Sequence, residues 1–417
     1  MIGRAAPERV VEPELDRLLS VAAAVLLAGP PATGKTTIAR QRASVVVGLP
    51  EAGATAGATA DWTRALGGRS PVLVDDWHRH PGALEAVAAA VRDDPRPGRF
   101  LLTGATPELP AGPGIALVRV RPLSLAERGL AVPVVSLASL LRGDRPELDG
   151  RCPLTGDRYL GEVLASGLPG IRPLEEPARR RALDRYLERL VAAVPAELGR
   201  PVRDPGSLRR RLAAYAAATA TTVPESTIAE VADQHRPVRL PPDAAAAYRR
   251  LLERLGIVDD LPAFAPRRRL GRLAEEPKRH LADPALAARL LGLDPALLRR
   301  SGVGAAGRAV FADALFESLV TQSVRTYAQA CGASVSHLRT YRSHRQLDLI
   351  VEGERGELVA FDVRLTTDVA ERDVAHLRWL RRRLGDELVE GAVLNAGERC
   401  YRRPDGFAVV PAALLGP

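Results

Sequence analysis

Lysine is almost absent from this sequence of 417 residues. Lysine and arginine together number 59, but only Lys35 and Lys278 are lysines. This preference for arginine, with abundant alanine, glycine and proline, is typical of a GC-rich genome. Because an ammonium group and a guanidinium group are not interchangeable at tight sites, the two remaining lysines are candidates for positions that require an ammonium group.

The net charge is only weak evidence for a particular binding partner. A net charge of +9 and an isoelectric point near 10.0 permit attraction to phosphate-rich partners such as nucleic acid. Coding bias accounts for the basicity equally well, so charge alone does not establish such a partner.

Cysteine and aromatic residues are also scarce. The three cysteines, Cys152, Cys331 and Cys400, are far apart and form no CxxC pair, which argues against a disulfide framework or a zinc site. The longest clean apolar run, Val21–Ala28, is much shorter than the roughly 20 residues of a membrane-spanning helix. The N-terminal residues lack a secretory pattern. We therefore expect a cytoplasmic protein with no membrane partner. Because aromatic residues are few, we also expect its cores to be aliphatic.

The length is ample for several buried cores and excludes a single small binding module. We predict three parts: an α/β domain over residues 1–190, a helical module over residues 191–265 and a small α/β domain over residues 266–417. No internal repeats are evident.

Short aliphatic runs alternate with helical patterns in the first part. The runs Val21–Ala28, Pro71–Val74 and Arg99–Leu102 are each followed by Gly, Asp or Thr. Buried parallel strands end in this way where they deliver side chains to a ligand crevice. The pattern predicts an α/β fold with a parallel sheet and helices on both faces.

The patterns change after this part. Apolar residues at three- and four-residue intervals between about Leu183 and Leu261 predict three short helices, as in a helix-turn-helix-like module. Asp283-Pro284 predicts a helix N-terminus, and a long amphipathic helix is predicted from about Arg308 to Ala330. The runs Leu347–Val351 and Leu358–Val363 flank a glycine-containing turn and predict a hairpin.

A phosphate-binding motif follows the first apolar run. Gly29-Pro-Pro-Ala-Thr-Gly34-Lys35-Thr36 satisfies the pattern G-x-x-x-x-G-K-[ST] between a predicted strand and a predicted helix. In this motif the loop amides cradle phosphate, Lys35 reaches the β- and γ-phosphates, and the Thr36 hydroxyl ligates Mg²⁺. The predicted nucleotide-binding residues are Gly29, Pro30, Pro31, Ala32, Thr33, Gly34, Lys35, Thr36 and Thr37.

Two further strand ends supply polar groups for hydrolysis. Asp75 and Asp76 follow the second run, and we assign Asp75 to the Mg²⁺ shell and Asp76 to the attacking water. Thr103 follows the third run, where it either senses the γ-phosphate or simply ends the strand. The predicted catalytic residues are therefore Asp76, Lys35 and Thr103.

These residues together resemble the prokaryotic AAA+ P-loop ATPases that carry a C-terminal region of unknown function, with a winged-helix-like part and a PD-(D/E)XK nuclease-like part. The resemblance covers nearly the whole chain. Besides the phosphate loop, the matching segments are Asp75-Asp76-Trp77, Leu102-Thr-Gly104, Arg121-Pro-Leu-Ser-Leu-Ala-Glu-Arg-Gly129, Gly199-Arg-Pro-Val-Arg-Asp-Pro205, Pro277-Lys278, Leu281-Ala-Asp-Pro-Ala-Leu286, Phe316-Glu317 and Tyr401-Arg-Arg-Pro-Asp-Gly406.

The resemblance implies that residues 1–190 form the ATPase domain, 191–265 the winged-helix-like module and 266–417 the nuclease-like domain. It also identifies departures in the first domain. Members of the family usually have Glu where this chain has Asp76, and an Arg in the turn that reads Ala111-Gly-Pro-Gly-Ile115 here. Both changes bear on the hydrolysis rate and leave nucleotide binding intact.

The nuclease-like part implies a possible second metal site formed by Glu317, Asp348 and Asp362. The family pattern is Glu-x-Asp followed by Glu-x-Lys, whereas this chain has Gln346-Leu-Asp348 and Asp362-Val-Arg364. The carboxylates remain, but an arginine replaces the lysine that would orient water or stabilise the phosphorane. Structural acids on a nuclease-like scaffold are therefore preferred over active cleavage.

Two arginine-rich segments have two alternative roles. Arg203, Arg209–Arg211 and Arg267–Arg269 either contact nucleic-acid phosphates or form solvated surfaces of an arginine-rich protein. Lys278 is expected to pair with Asp283 or another acid.

The sequence thus predicts an AAA+ ATPase that hydrolyses ATP with Mg²⁺ and controls a regulatory or nucleic-acid-binding C-terminal region. One alternative is an ATP-dependent binding switch that does not hydrolyse, and another is a metal-dependent DNA nuclease. A small-molecule P-loop kinase is disfavoured because the C-terminal half is too large for a substrate lid. The expected ligands are ATP and Mg²⁺, with a DNA or protein client and oligomerisation as possibilities.

Overall fold

The computed structural model describes residues 8–47, 62–80, 82–105, 114–198, 205–234, 241–266, 273–299, 305–341 and 345–417. The chain divides into two compact units. Residues 8–121 with 252–256 form the first, here called the parallel-sheet unit. Residues 122–251 with 257–417 form the second, here called the mixed-sheet unit.

The helices are α1 (Glu12–Leu19), α2 (Lys35–Arg40), α3 (Trp62–Leu66), α4 (Ala83–Asp93), α5 (Leu137–Arg142), α6 (Gly156–Ala165), α7 (Ala178–Leu198), α8 (Pro205–Ala217), α9 (Glu225–Ala232), α10 (Pro242–Arg254), α11 (Pro284–Leu290), α12 (Pro295–Arg299), α13 (Ala305–Ala330) and α14 (Ala375–Leu384). The strands are β1 (Ala24–Ala28), β2 (Val45–Val47), β3 (Val72–Val74), β4 (Phe100–Gly104), β5 (Ile115–Arg119), β6 (Val135–Ser136), β7 (Gly150–Arg151), β8 (Ser334–Arg339), β9 (Gln346–Glu352), β10 (Leu358–Arg364), β11 (Leu388–Asn395), β12 (Arg399–Arg402), β13 (Ala408–Pro411) and β14 (Leu415–Gly416).

The parallel-sheet unit contains five parallel strands in the order β2-β3-β4-β1-β5. Successive side chains of a strand point to opposite faces, and each face here packs on helices. Leu26 of β1 shares a core with Val87 of α4. The next residue, Leu27, shares a separate core with Leu15 of α1 and Ile38 of α2. The predicted parallel sheet with helices on both faces is confirmed.

Strand order fixes which residues meet at one edge of this sheet. β4 lies between β1 and β3, with Ala28 beside Gly104 and Val74 beside Leu102. The phosphate loop after β1, the acids after β3 and Thr103 near the end of β4 therefore lie close together.

The mixed-sheet unit is built on seven strands in the order β7-β12-β13-β11-β10-β9-β8. Its centre is parallel, because β10 pairs with β11 and β11 with β13 in that sense, while β8, β9 and β12 pair antiparallel. Leu377 and Leu380 of α14 pack with Leu358, Ala360 and Val393 of the sheet. α13 contacts β8, β9 and β10.

Several further sequence predictions are confirmed. α8, α9 and α10 are the three short helices, β9 and β10 form the hairpin, and α13 is the long helix. Asp283 caps α11, with its side chain accepting a hydrogen bond from the Ala285 amide. The division at residues 190 and 265 stays a prediction. Among the described helices, none is both long enough and apolar enough to cross a bilayer.

Candidate functional site

The phosphate loop is a tight turn between β1 and α2. Gly34 has a φ of 94°, a left-handed conformation that favours glycine. A Cβ atom at Gly29 would lie 2.1 Å from the carbonyl oxygen of Val120. The Thr33 hydroxyl donates to the Pro30 carbonyl at 2.9 Å. The motif glycines are therefore required by the local geometry.

Lys35 is the first residue of α2, and its ammonium group lies inside this loop. Nζ donates to the carbonyls of Gly29 at 2.8 Å and Pro30 at 2.7 Å, and the residue is 7% exposed. Burial lowers the pKa of Lys35 to about 8, against the opposing effect of the Asp76 and Asp75 carboxylates. The loop thus holds a buried cation whose direct hydrogen-bond partners carry no formal charge.

The acid after β3 connects the loop to the neighbouring strand. Asp75 Oδ1 accepts hydrogen bonds from Thr36 Oγ1 at 2.8 Å and from Thr103 Oγ1 at 2.6 Å. The Asp76 amide donates to Thr103 Oγ1 at 2.9 Å, and Asp76 has a φ of 49°, in the left-handed region. Four predicted site residues, from three separate segments, are therefore in contact.

These groups fit a magnesium ion. Mg²⁺ prefers oxygen ligands and is usually bound by one or two protein side chains together with substrate phosphates. Thr36 and Asp75 supply a hydroxyl and a carboxylate that already touch. They are the two residues that would hold the ion, which would neutralise charge on a bound polyphosphate.

Arg9 is a residue of this site that the sequence patterns do not identify. Its Nη1 donates to the Thr33 carbonyl at 2.8 Å, and its Nη2 donates to the Arg121 carbonyl at 2.7 Å. Arg9 is 5% exposed. One guanidinium therefore ties the phosphate loop to the segment after β5. No motif marks it, because it lies outside the loop in an arginine-rich chain.

A second cluster of charged residues lies in the mixed-sheet unit. Glu317 of α13, Asp348 of β9 and Asp362 of β10 are the three predicted carboxylates. Lys278 Nζ donates to Glu317 Oε1 at 2.6 Å and to Asp348 Oδ1 at 3.0 Å. Arg364 Nη2 lies 2.6 Å from Asp362 Oδ1. We call these five residues the carboxylate cluster.

Burial and mutual charge shift the pKa values in the carboxylate cluster. Burial lowers the pKa of Lys278, but Asp348 and Glu317 outweigh this effect, so the pKa is raised. Burial and the Asp348 charge raise the pKa of Glu317 to about 7. Burial and the same charge also raise the pKa of Asp362. Lys278 was expected to pair with Asp283 or another acid, and its partners are Glu317 and Asp348.

A metal ion in this cluster stays a prediction. In the ranges that the structure describes, no group of three or more His, Cys, Asp or Glu side chains is arranged as a metal site.

The predicted arginine surface is only partly described. Arg211 is 1% exposed and pairs with Glu225 at 3.4 Å, so it belongs to the interior and not to a solvated or nucleic-acid-binding surface. Arg203 and residues 267–269 lie outside the described residues, as do residues 111–113 of the glycine-rich turn.

Two family models match the chain. Residues 312–415 match the family described as Domain of unknown function (DUF4143), and residues 158–297 match the one described as Domain of unknown function (DUF8612). Each covers less than half of the chain. The expected C-terminal region of unknown function is thereby confirmed. No curated protein matches.

Two solved structures are similar to this chain. The Walker-type ATPase PABY2304 of Pyrococcus abyssi is 16% identical, with a TM-score of 0.39 over 67% of this chain and 94% of that one. A signal transduction ATPase with numerous domains (STAND) and a tetratricopeptide repeat sensor, from Pyrococcus horikoshii, is 12% identical, with a TM-score of 0.27. That match covers 78% of this chain and 50% of the STAND protein. Because both TM-scores lie below 0.5, neither likeness supports a conclusion about this chain.

Proposed function

We propose that this chain is an ATPase of the AAA+ type that binds ATP with Mg²⁺ at the phosphate loop. The observation that carries this proposal is the convergence of Thr36, Asp75 and Thr103, whose oxygens are joined by hydrogen bonds of 2.8 and 2.6 Å. A turn with a purely structural role does not require the Asp75 carboxylate, at the end of β3, to contact the Thr36 hydroxyl.

Lys35 is the phosphate-binding cation in this proposal. Its two hydrogen bonds to the loop carbonyls, at 2.8 and 2.7 Å, hold the ammonium inside the loop before the ligand arrives. Phosphate oxygens are stronger acceptors for an ammonium than neutral carbonyls. A bound triphosphate therefore takes over one or more of these donors.

Hydrolysis is assigned to Asp76 and Thr103. Asp76 is the residue that would orient the attacking water, and Thr103 Oγ1 fixes the Asp76 backbone through the 2.9 Å hydrogen bond from its amide. Aspartate is one methylene shorter than glutamate. This favours slow turnover or, as the second candidate function, an ATP-dependent switch that binds without hydrolysing.

Binding is tested by calorimetric titration of the full chain with ATP and Mg²⁺. Lys35→Ala is expected to weaken ATP binding about 100-fold, because truncating one partner of a buried charge pair costs about 2–5 kcal/mol. Arg96→Ala is the matched control, since Arg96 is an exposed cation of the same unit, with a side chain 81% exposed. Unchanged affinity in Lys35→Ala would remove the central assignment.

Turnover separates the two candidate functions. Phosphate release by the wild type is compared with Asp76→Glu and Asp76→Asn. An ATPase loses turnover in Asp76→Asn and gains it in Asp76→Glu, which restores the missing methylene. Release at the background rate in the wild type, with intact ATP affinity, would favour the switch.

The C-terminal assignments extend this proposal. We assign the winged-helix-like role to the helices α8 to α10 and the nuclease-like role to α13 and the strands β8 to β13, within residues 266–417. The convergence of acids from α13, β9 and β10 supports the second assignment. ATP then controls this regulatory or nucleic-acid-binding C-terminal region. Salt-titrated DNA binding with and without ATP tests for a DNA client, and sedimentation tests for oligomerisation.

A further inference from the structure

The second of the two lysines lies in the carboxylate cluster. Its backbone is fixed by reciprocal hydrogen bonds with Leu261, whose amide and carbonyl each pair with Lys278 at 2.8 Å. Lys278 is 7% exposed. The Lys278 backbone is therefore fixed in place when the ammonium contacts Glu317 and Asp348. The residue is buried and is not a mobile surface side chain.

The ammonium uses one oxygen of each of two carboxylates. Nζ is 2.6 Å from Glu317 Oε1 and 3.0 Å from Asp348 Oδ1. The other Asp348 oxygen accepts the Val363 amide at 2.9 Å and lies 3.5 Å from Arg364 Nη1. Asp348, the acid at the centre of the predicted metal site, is therefore engaged on both of its oxygens.

Arg364 adds a second internal cation on Asp362. Full ionisation of the three carboxyls beside two cations would leave one net negative charge, and the raised pKa values of Glu317 and Asp362 oppose that state. Both Asp362 oxygens are buried and, among the described residues, neither accepts a hydrogen bond of good geometry, although Arg364 lies 2.6 Å from one. Arg364 is therefore the internal cation beside Asp362.

We propose that the Lys278 ammonium occupies the place of a divalent cation among Glu317, Asp348 and Asp362. The native chain accordingly binds no divalent metal there, and removal of the ammonium creates a divalent-cation site. The physical reason is that the ammonium uses the anionic oxygens that a metal needs as ligands, and like charges a few ångströms apart in a buried setting repel strongly.

The surrounding space is compatible with this exchange. A cavity of about 50 Å³ adjoins the lysine and is lined by Thr222, Arg339 and Gln346, together with Glu317 and Asp348. One water needs about 10–15 Å³ of such volume, so the cavity admits an ion with part of its water shell. Shortening Lys278 enlarges this space beside the carboxylates.

Mn²⁺ binding to the full-length, nucleotide-free chain tests the proposal by electron paramagnetic resonance of the free ion. Every protein carries Asp75→Asn, so that the predicted Mg²⁺ site at the phosphate loop does not contribute. In this background the native cluster is compared with Lys278→Ala, Lys278→Gln and the matched control Lys278→Ala/Asp348→Asn. The expected result is Mn²⁺ binding by Lys278→Ala at least about tenfold tighter than by the native cluster, lost again with Asp348→Asn.

Thermal unfolding with and without Mn²⁺ is the second readout. Mn²⁺ is expected to raise the Tm of Lys278→Ala and Lys278→Gln and to leave the native cluster and the Asp348→Asn control unchanged. Mn²⁺ binding by the native cluster that depends on Asp348 would overturn the proposal. The same holds if the Lys278 variants fold without gaining Mn²⁺ binding, or fail to fold even when Mn²⁺ is present.

Discussion

The two lysines of this chain are equally buried, and their environments shift their pKa values in opposite directions. Each is 7% exposed. Burial lowers the pKa of Lys35 to about 8, and more distant carboxylates only partly oppose it. Burial also lowers the pKa of Lys278, but Asp348 and Glu317 outweigh it and raise the pKa.

This difference separates two uses of a buried cation. Lys35 donates to the neutral carbonyls of Gly29 and Pro30, and neither of these two partners compensates its charge. Lys278 donates to two carboxylates of its own chain. The first arrangement is typical of a ligand site, and the second of a closed internal ion cluster.

The largest expected effect is the loss of stability in Lys278→Ala. Removing one member of a buried ion pair leaves uncompensated charge and typically costs about 3–5 kcal/mol. Urea unfolding at neutral pH measures this loss. The double variant Lys278→Ala/Glu317→Gln is expected to recover at least about 1 kcal/mol, because one stranded carboxylate is removed. Equal stability of Lys278→Ala and the wild type would contradict the distinction between the lysines.

Exchange of Lys35 for arginine distinguishes the effect of charge from the effect of side-chain shape at the phosphate loop. Lys35→Arg keeps the positive charge, but a planar guanidinium does not fit between the Gly29 and Pro30 carbonyls. ATP affinity is expected to fall by at least about tenfold, measured by calorimetry. Wild-type affinity in Lys35→Arg would mean that charge alone, and not ammonium geometry, holds the phosphate.

Arg9 tests whether ATP binding requires the phosphate loop to be fixed in its conformation before the nucleotide binds. Arg9→Met removes hydrogen bonds to the Thr33 and Arg121 carbonyls while keeping an unbranched side chain. Each lost bond from a charged donor is worth about 1.5–3 kcal/mol, and part of that loss is expected in ATP affinity, as a roughly tenfold decrease. Stability that falls while affinity stays constant would show that Arg9 supports the fold alone.

Thr103→Val is expected to have the smallest effect. The side chain keeps its shape and loses the hydroxyl that contacts Asp75 and the Asp76 amide. ATP affinity should change less than twofold, while turnover falls about three- to tenfold, because Asp76 is less well positioned. Parallel steady-state rates and binding titrations measure both quantities. Equal losses in both would place Thr103 in binding instead.

Much of the parallel-sheet unit is predictable from local patterns. The aliphatic runs around Leu26, Leu73 and Leu101 are buried strands because their side chains are apolar on both faces. The phosphate loop has a fixed spacing, and parallel strands bring their carboxyl ends to one edge. Those two facts suffice to place Thr36, Asp75 and Thr103 together.

The carboxylate cluster is less predictable because its cation comes from outside the pattern. Glu317, Asp348 and Asp362 are recognisable from a resemblance, but nothing local indicates that Lys278, 39 residues before Glu317, joins them. That contact depends on the backbone pairing of Lys278 with Leu261, a long-range interaction. Arg9 is not predictable from the sequence for a different reason, because its partners are backbone carbonyls, which carry no sequence signal.

The contrast between the lysines is tested most directly by the change in Tm on adding saturating ATP to the wild type, Lys35→Ala and Lys278→Ala, with Mg²⁺ already present at the same concentration in every sample. A ligand at about 100 times its Kd stabilises the folded state by about 2.7 kcal/mol. The account predicts a clear rise for the wild type and for Lys278→Ala, from its lower starting Tm, and a much smaller rise for Lys35→Ala. A full rise in Lys35→Ala, or none in the wild type, would contradict it.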